Sequence, residues 1–269
     1  MKFTKMHGLG NDFIIFDGRT EKLPEVDWTE YAPKLCDRNF GIGADGVILV
    51  LTSDKANYEM KVFNSDGSEP EMCGNGLRCF AKYVYDTDPE KKEVFSVNTK
   101  AGVKLPVVET EKGRITGIEV DMGAPILQRS KIPLAGKDSD KVIGEKIKIK
   151  GKEIVFTAVS MGNPHAVIFV DDIETVDVTG LGAALEVDPL FPERTNVEFV
   201  QVLDPKEAIM KVWERGVGET LACGTGACAV LVAGVLNKKL ERVVTIHLPG
   251  GDLLIEWEAD TDHVLMTGP

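Results

Sequence analysis

The stretch MKVFNSDGSEPEMCGNG occupies residues 60–76, and MKVWERGVGETLACGTG occupies residues 210–226. Laid over one another they share Met, Lys, Val, Glu, Cys and two Gly, seven identities in seventeen columns. The correspondence continues outward at nearly the same offset. Gly10-Asn11 followed by Phe13-Ile14-Ile15-Phe16 resembles Gly162-Asn163 followed by Ala166-Val167-Ile168-Phe169, and Val97–Gly102 sits opposite Ile246–Gly251. A chance match would not hold its register across three patches. The chain therefore reads as two homologous halves of one ancestral unit, with a period far too long for a solenoid.

Each half is mostly short extended runs. Val47–Leu51, Met60–Phe63, Val103–Val108, Ile115–Val120, Ile154–Val159, Val197–Leu203, Val243–Ile246 and Leu253–Trp257 are β-rich and bounded by Gly, Pro, Asn or Asp. Helical spacing is present at Thr29–Arg38 and directly after each repeated cysteine. Leu77, Phe80, Ala81, Val84 and Tyr85 recur at i, i+3, i+4, i+7 and i+8. The run from Ala227 to Leu236 is apolar all round, as in a helix buried on every side. The expected fold is α+β: two pseudo-symmetric lobes, each a mixed or antiparallel sheet wrapped around a central helix. The expected division is 1–118, 119–262 and a tail, 263–269, returning to the N-terminal lobe. The charged stretch Lys131–Lys152 reads as a solvated hairpin.

Composition limits the partners. The 269 residues are 43% hydrophobic and 28% charged, with a net charge of −12. That balance argues against nucleic acid and against anionic membrane surfaces, which call for clustered Lys and Arg. The opening MKFTKMHGLGNDF has no apolar h-region, and no apolar run reaches membrane-spanning length. Cysteines are few and odd in number, at 36, 73, 79, 223 and 228. Free thiols in a reducing, cytoplasmic setting are expected.

Cys73-Gly74-Asn75-Gly76 and Cys223-Gly224-Thr225-Gly226 each precede a helix. Glycines there let the backbone approach a ligand. The first-turn N–H groups and the positive end of the helix dipole form a cradle for a carboxylate. The same dipole eases loss of the adjacent thiol proton. If the halves face each other, one anionic ligand lies between two sulfurs. That arrangement suits removal of a proton from one face of a carbon and its return to the other. Cys36, Cys79 and Cys228 read instead as small buried hydrophobes. The spacings C-x5-C and C-x4-C are not those of a structural zinc site, so no metal is expected. A disulfide between the facing thiols would be an inactive by-product.

HGLGNDF (7–13), GIGADG (41–46), FNSDGSEPEMCGNGLRC (63–79), MGNPH (161–165), RTNVEF (194–199) and ERGVGETLACGTGACA (214–229) together resemble bacterial diaminopimelate epimerases over nearly the whole chain. The resemblance implies epimerisation of L,L-diaminopimelate to the meso form without pyridoxal phosphate, any other cofactor or metal. The product would feed lysine and peptidoglycan synthesis, and a homodimer is implied. It makes Cys73 and Cys223 the catalytic pair and His165 and Glu214 the groups that tune them. Gly74-Asn75 and Gly224-Thr225 would hold the reacting carboxylate. Asn11, Asn64, Asn163, Asn196, Glu214 and Arg215 would fix the distal amino acid end of a diamino dicarboxylate. On their own, His165 reads as a loop histidine and Asn11 and Asn163 as turn formers. Some members carry Gln where this chain has Gly46, which is read here as serving a turn. The alternatives are another racemase or isomerase of the same superfamily, such as a proline racemase, or an amino-acid-binding protein.

Overall fold

The β-rich runs of the first half become strands wherever Gly, Asn or Pro ends them. They are β1 (Thr4–Gly8), β2 (Asn11–Asp17), β3 (Gly46–Leu51), β4 (Tyr58–Asn64), β5 (Val97–Thr99), β6 (Gly102–Lys104), β7 (Val107–Glu111) and β8 (Arg114–Asp121). Helix α1 (Trp28–Cys36) follows β2, and α2 (Gly74–Thr87) follows β4. This computed structural model describes residues 1–137, 139 and 141–269. The extended run expected over Val103–Val108 is two strands, broken at Leu105-Pro106. Proline cannot donate to a ladder and ends the pairing there. Strands β1 to β6 form one sheet in chain order, alternately antiparallel and parallel. Helix α2 packs on β1 to β4 and also on the β7–β8 hairpin, so both sets of strands bury it.

The second half contains β9 (Val142–Ile149), β10 (Lys152–Ser160), β11 (Pro164–Phe169), α3 (Val178–Glu186), β12 (Asn196–Asp204), β13 (Glu207–Glu214), β14 (Gly218–Thr220), α4 (Gly224–Leu236), β15 (Val243–Leu248), β16 (Gly251–Trp257) and β17 (Val264–Gly268). The path β10-β11-β12-β13-β15-β16 repeats the alternation of β1 to β6 pair for pair. Gly46 pairs with Phe13 and Asn64. Asn196 pairs with His165, and the next register pair, Val197 with Trp213, sets it opposite Glu214. The two halves are thus one connectivity written twice, in the expected α+β class. Chain contacts divide them into Met1–Asp121 with Thr267–Pro269, and Met122–Met266.

Helix α4 is buried from Gly226 to Gly234 without interruption. Its stability comes from packing, since each buried Val or Leu contributes roughly 1.5–3 kcal/mol. The stretch Lys131–Lys152 does lead into a hairpin, with β9 pairing antiparallel to β10 across Lys150-Gly151, but it is not solvated throughout. It contains β9, and Ile132, Leu134, Val142 and Ile149 all enter the core. Of that stretch, Asp138 and Asp140 lie outside the described residues. Helix α3 carries no readable periodicity because Gly180 and Gly182 interrupt it. Asp177 caps it by accepting from Gly180 N at 2.8 Å. Gly182 is needed for space: a Cβ there would meet Trp213 Cβ at 2.5 Å. Among the described residues no helix is long and apolar enough to cross a membrane.

Gly182→Ala is expected to cost about 1–3 kcal/mol, as overpacking against a fixed atom does; a denaturant midpoint equal to the parent would contradict this. His247 lies between Asp252 (2.8 Å) and Glu207 (2.9 Å), and Asp252 first, then Glu207, raise its imidazole above the ordinary range. A raised folded value adds stability that is complete below the unfolded value and disappears as pH rises through the folded one. The stability gap between the parent and His247→Gln, measured by denaturant midpoint, should therefore be full below the ordinary imidazole range and shrink as pH rises through and above it.

Candidate active site

Both repeated cysteines occupy the N-cap of the helix that follows. Cys73 has φ −139° and ψ 107°, and Cys223 has φ −128° and ψ 108°. An N-cap must be extended, while its carbonyl already accepts the first helical bond. Leu77 N donates to Cys73 O at 2.8 Å and Ala227 N to Cys223 O at 3.0 Å. The first-turn amides of Gly74 and Asn75, and of Gly224 and Thr225, have no intrahelical acceptor and point out of the helix end. Gly76 N donates to Cys73 Sγ at 3.3 Å. A side chain at Gly76 would begin 3.3 Å from Cys73 Sγ, and one at Gly226 3.2 Å from Cys223 Sγ. Glycine at both positions avoids a side chain pressed against the sulfur.

A second repeated contact reaches each cap. In the first unit Asn75 Nδ2 donates to Asn11 Oδ1 at 3.3 Å. In the second unit Asn163 Nδ2 donates to Thr225 Oγ1 at 3.3 Å. The Gly-Asn turn of each half therefore touches the second residue after its cysteine. Asn11 is anchored in turn by Asp45, which accepts from its Nδ2 at 3.0 Å and from Asp12 N at 3.0 Å. Burial works against the neighbouring Asp12 carboxylate, yet Arg38 and Lys5 hold it down to about 2. Asn75 is 7% exposed, and its Oδ1 finds no hydrogen-bond partner among the described residues. Asn64 donates to Ser68 Oγ at 2.9 Å.

Gly46 does not serve a turn. It opens β3, and a Cβ there would lie 2.8 Å from Phe63 O and 3.2 Å from the Phe13 ring. Space, not backbone conformation, requires glycine at this point.

His165 is likewise no loop residue: it lies in β11 and is 0% exposed. Its Nδ1 is 2.6 Å from Glu198 Oε1, and its Nε2 is 3.0 Å from Asn163 Oδ1. Glu198 was not singled out from the sequence, although it follows Asn196 by two residues on the same face of β12. Asn196 spends its amide on the frame, donating to Pro164 O and accepting from Arg215 N, both at 2.9 Å. Arg215 donates through Nη1 to Glu193 O at 3.0 Å. Glu214 accepts a very short hydrogen bond from Thr220 Oγ1. Burial raises its carboxyl, and Glu198 adds to that. Glu186, also missed, pins the turn after β13 by accepting from Gly216 N at 2.9 Å and Trp213 Nε1 at 2.7 Å.

Cys223 is 5% exposed, with Thr225 Oγ1 at 3.6 Å from its sulfur. Burial pushes its thiol well above the ordinary range, Glu214 and Glu198 push it further, and Thr225 and Gly226 pull the other way. The helix end was expected to ease proton loss at this sulfur. Burial beside two carboxylates outweighs it.

The diaminopimelate epimerase family model matches residues 3–128 and 157–269. The chain belongs to the diaminopimelate epimerase family. The match contains both cysteine caps and both Gly-Asn turns; the unmatched 129–156 holds β9 and the start of β10. Among relatives named diaminopimelate epimerase, the one from Desulfitobacterium hafniense is 55% identical, covering 100% of this chain and 95% of that protein. The one from Moorella thermoacetica is also 55% identical, covering 100% and 96%. More distant solved structures share the fold. A PhzF-family phenazine biosynthesis protein of Bacillus anthracis is 16% identical at a TM-score of 0.70, covering 100% of this chain and 96% of that one. A hydroxyproline epimerase of Agrobacterium vitis is 16% identical at 0.65, covering 99% and 87%.

Because the Glu214 charge opposes a thiolate at Cys223, Glu214→Gln should let Cys223 react with iodoacetamide at lower pH than in the parent. Peptide-resolved alkylation rates measure this, and an unmoved profile would remove Glu214 as a determinant of that sulfur.

Proposed function

We propose that the protein is a cofactor-independent epimerase interconverting L,L- and meso-diaminopimelate, with Cys73 and Cys223 as its acid–base pair. The observation that carries this reading is the repeated cap: one sulfur, two outward first-turn amides and one Gly-Asn contact in each half. A thiolate takes the α-proton and becomes a thiol, and the C–H electron pair passes into the carboxylate. The other thiol then delivers its proton to the opposite face. A C–H bond has broken and another has formed, and the two sulfurs have exchanged protonation states. This chemistry requires both sulfurs to reach opposite faces of one carbon.

The α-proton is a weak acid, so charge moving into the carboxylate must be met by donors already in place. The amides of Gly74-Asn75 and Gly224-Thr225 supply them. The partnerless Asn75 Oδ1 is a buried acceptor suited to an ammonium hydrogen. Asn11, Asn64, Asn163, Asn196, Glu214 and Arg215 address the distal amino acid, which distinguishes a diamino dicarboxylate from a small imino acid. His165 and Glu214 act on the sulfurs. The setting supposed is the cytoplasm, the assembly a homodimer, and the role the supply of lysine and peptidoglycan precursors.

In heavy water L,L-diaminopimelate should gain deuterium at one α-carbon as the meso form accumulates. Absence of exchange with any diamino acid would leave a binding protein in place of the enzyme. Cys73→Ala and Cys223→Ala should each keep the fold and lose inversion by at least about 100-fold. The parent rate should peak between two pH limbs that belong to the thiol pair jointly.

A further inference from the structure

The duplicated register allows a comparison of what lies beneath each sulfur. Residue 13 pairs with 46 in the first unit as residue 165 pairs with 196 in the second. Two residues further along β3 and β12 stand Ile48 and Glu198. The equivalence is visible at the helix ends as well. The point where a side chain at Gly76 would begin is 3.3 Å from Cys73 Sγ and 3.4 Å from Ile48 Cδ1. The matching point at Gly226 is 3.2 Å from Cys223 Sγ and 2.9 Å from Glu198 Oε1. Below Cys73 the frame is filled by Phe13 and Ile48, 2% and 0% exposed; below Cys223 it is filled by His165 and Glu198, both 0% exposed. Asn64 in the first half stands where the second has Glu214. The same backbone packs a hydrocarbon pair at these positions, so packing does not demand an ionisable one.

The hydrogen bonds show what the polar pair is for. Asn163 Oδ1 can only accept, so with the amide placed as it is, His165 Nε2 carries a hydrogen and donates. The 2.6 Å contact between Nδ1 and Glu198 Oε1 fixes the orientation of the ring. Asn163 Nδ2 continues to Thr225 Oγ1, and Thr225 Oγ1 faces Cys223 Sγ. Glu198 Oε2 has no hydrogen-bond partner among the described residues, so the pair is held by this one chain. A buried carboxylate with one partner is costly to keep, and a hydrophobic pair would serve the fold as well or better.

We propose that Glu198 is a positioning residue of the reaction: it fixes His165 as a donor to Asn163, orders Thr225 against the Cys223 sulfur, and sets a carboxylate beside that sulfur where it opposes a thiolate. The inference rests on the two-thiol reading above. The titratable groups that act on Cys223 are Glu198 on β12 and Glu214 on β13; His165 on β11 stands behind them, bonded to Glu198, and the Thr225 hydroxyl faces the sulfur from its own helix. Both carboxylates oppose a thiolate there.

Two measurements test this, and the first needs no substrate. In a Cys73→Ala background, Glu198→Gln should shift iodoacetamide alkylation of Cys223, read on its own peptide, to lower pH. Superimposed profiles with and without Glu198→Gln would overturn the proposal, whatever the enzyme's substrate. The second transplants the first half's pair. E198I/H165F should melt no lower than the parent by circular dichroism, yet lose α-deuterium exchange by about 100-fold, chiefly in kcat and little in KM. Parental exchange in this folded variant would also overturn it. Should E198I/H165F unfold, Glu198→Gln alone decides through its alkylation profile. A parent protein that exchanges no deuterium would refute the function proposed above and leave the alkylation result standing.

Discussion

A helix start that must keep a sulfur at its cap is the constraint from which the rest of the architecture follows. Ser, Thr, Asp and Asn are the ordinary occupants of that position because their oxygens satisfy a first-turn amide. Sulfur is a weaker acceptor, and at Cys73 it accepts from the Gly76 amide at a long 3.3 Å. The remaining end amides stay directed outward. That arrangement is unfavourable for the isolated helix, and burial compensates for it. Helix α4 is covered on every side, and α2 is covered by two sets of strands. The extensive sheet around each helix is thus the counterpart of a deliberately weak cap.

Once each cap is fixed, the parallel strand next to it determines what lies underneath. In the first half β2 and β3 supply hydrocarbon, and in the second β11 and β12 supply an imidazole and a carboxylate. The backbone treatment is the same in both. A two-base reaction asks its symmetric parts to do unequal work at any instant, since one group must accept while the other donates. The side chains behind the sulfurs are where these halves differ most, although the caps are not identical either, since the Cys73 side chain accepts from Gly76 N and the Cys223 side chain makes no such cap bond.

Much of this was legible in the sequence and some of it was not. The repeated cysteine and glycine pair located both helix starts because helix capping is local chemistry. The eight β-rich runs were found for the same reason, apart from the break at Pro106. Register was harder. Aligning Phe13–Phe16 with Ala166–Phe169 set the strands one residue out, whereas pairing places Phe13 against His165. One residue in a strand exchanges the two faces, and so Glu198 went unnoticed, while His165 read as a loop residue because Asn163-Pro164 precede it, although β11 begins at Pro164. The arm at Lys131–Lys152 misled through composition. Its charges are real, but Val142 and Ile149 are buried at the two ends of β9, and an irregularity in the pairing with β10 breaks the alternation that would have revealed them. Helix α3 was lost because glycines chosen for close approach to Trp213 also erase the helical period.

The residues Thr267–Pro269 group with the first half, where Pro269 O accepts from the buried Arg78 of α2 at 3.1 Å. The first half therefore waits for backbone that is translated after the whole of the second. A nascent chain can assemble its later half as a finished body before the hydrogen bond from Arg78 Nε to Pro269 O can form. Vectorial synthesis, which ordinarily lets early segments mature first, is here run in reverse order of completion.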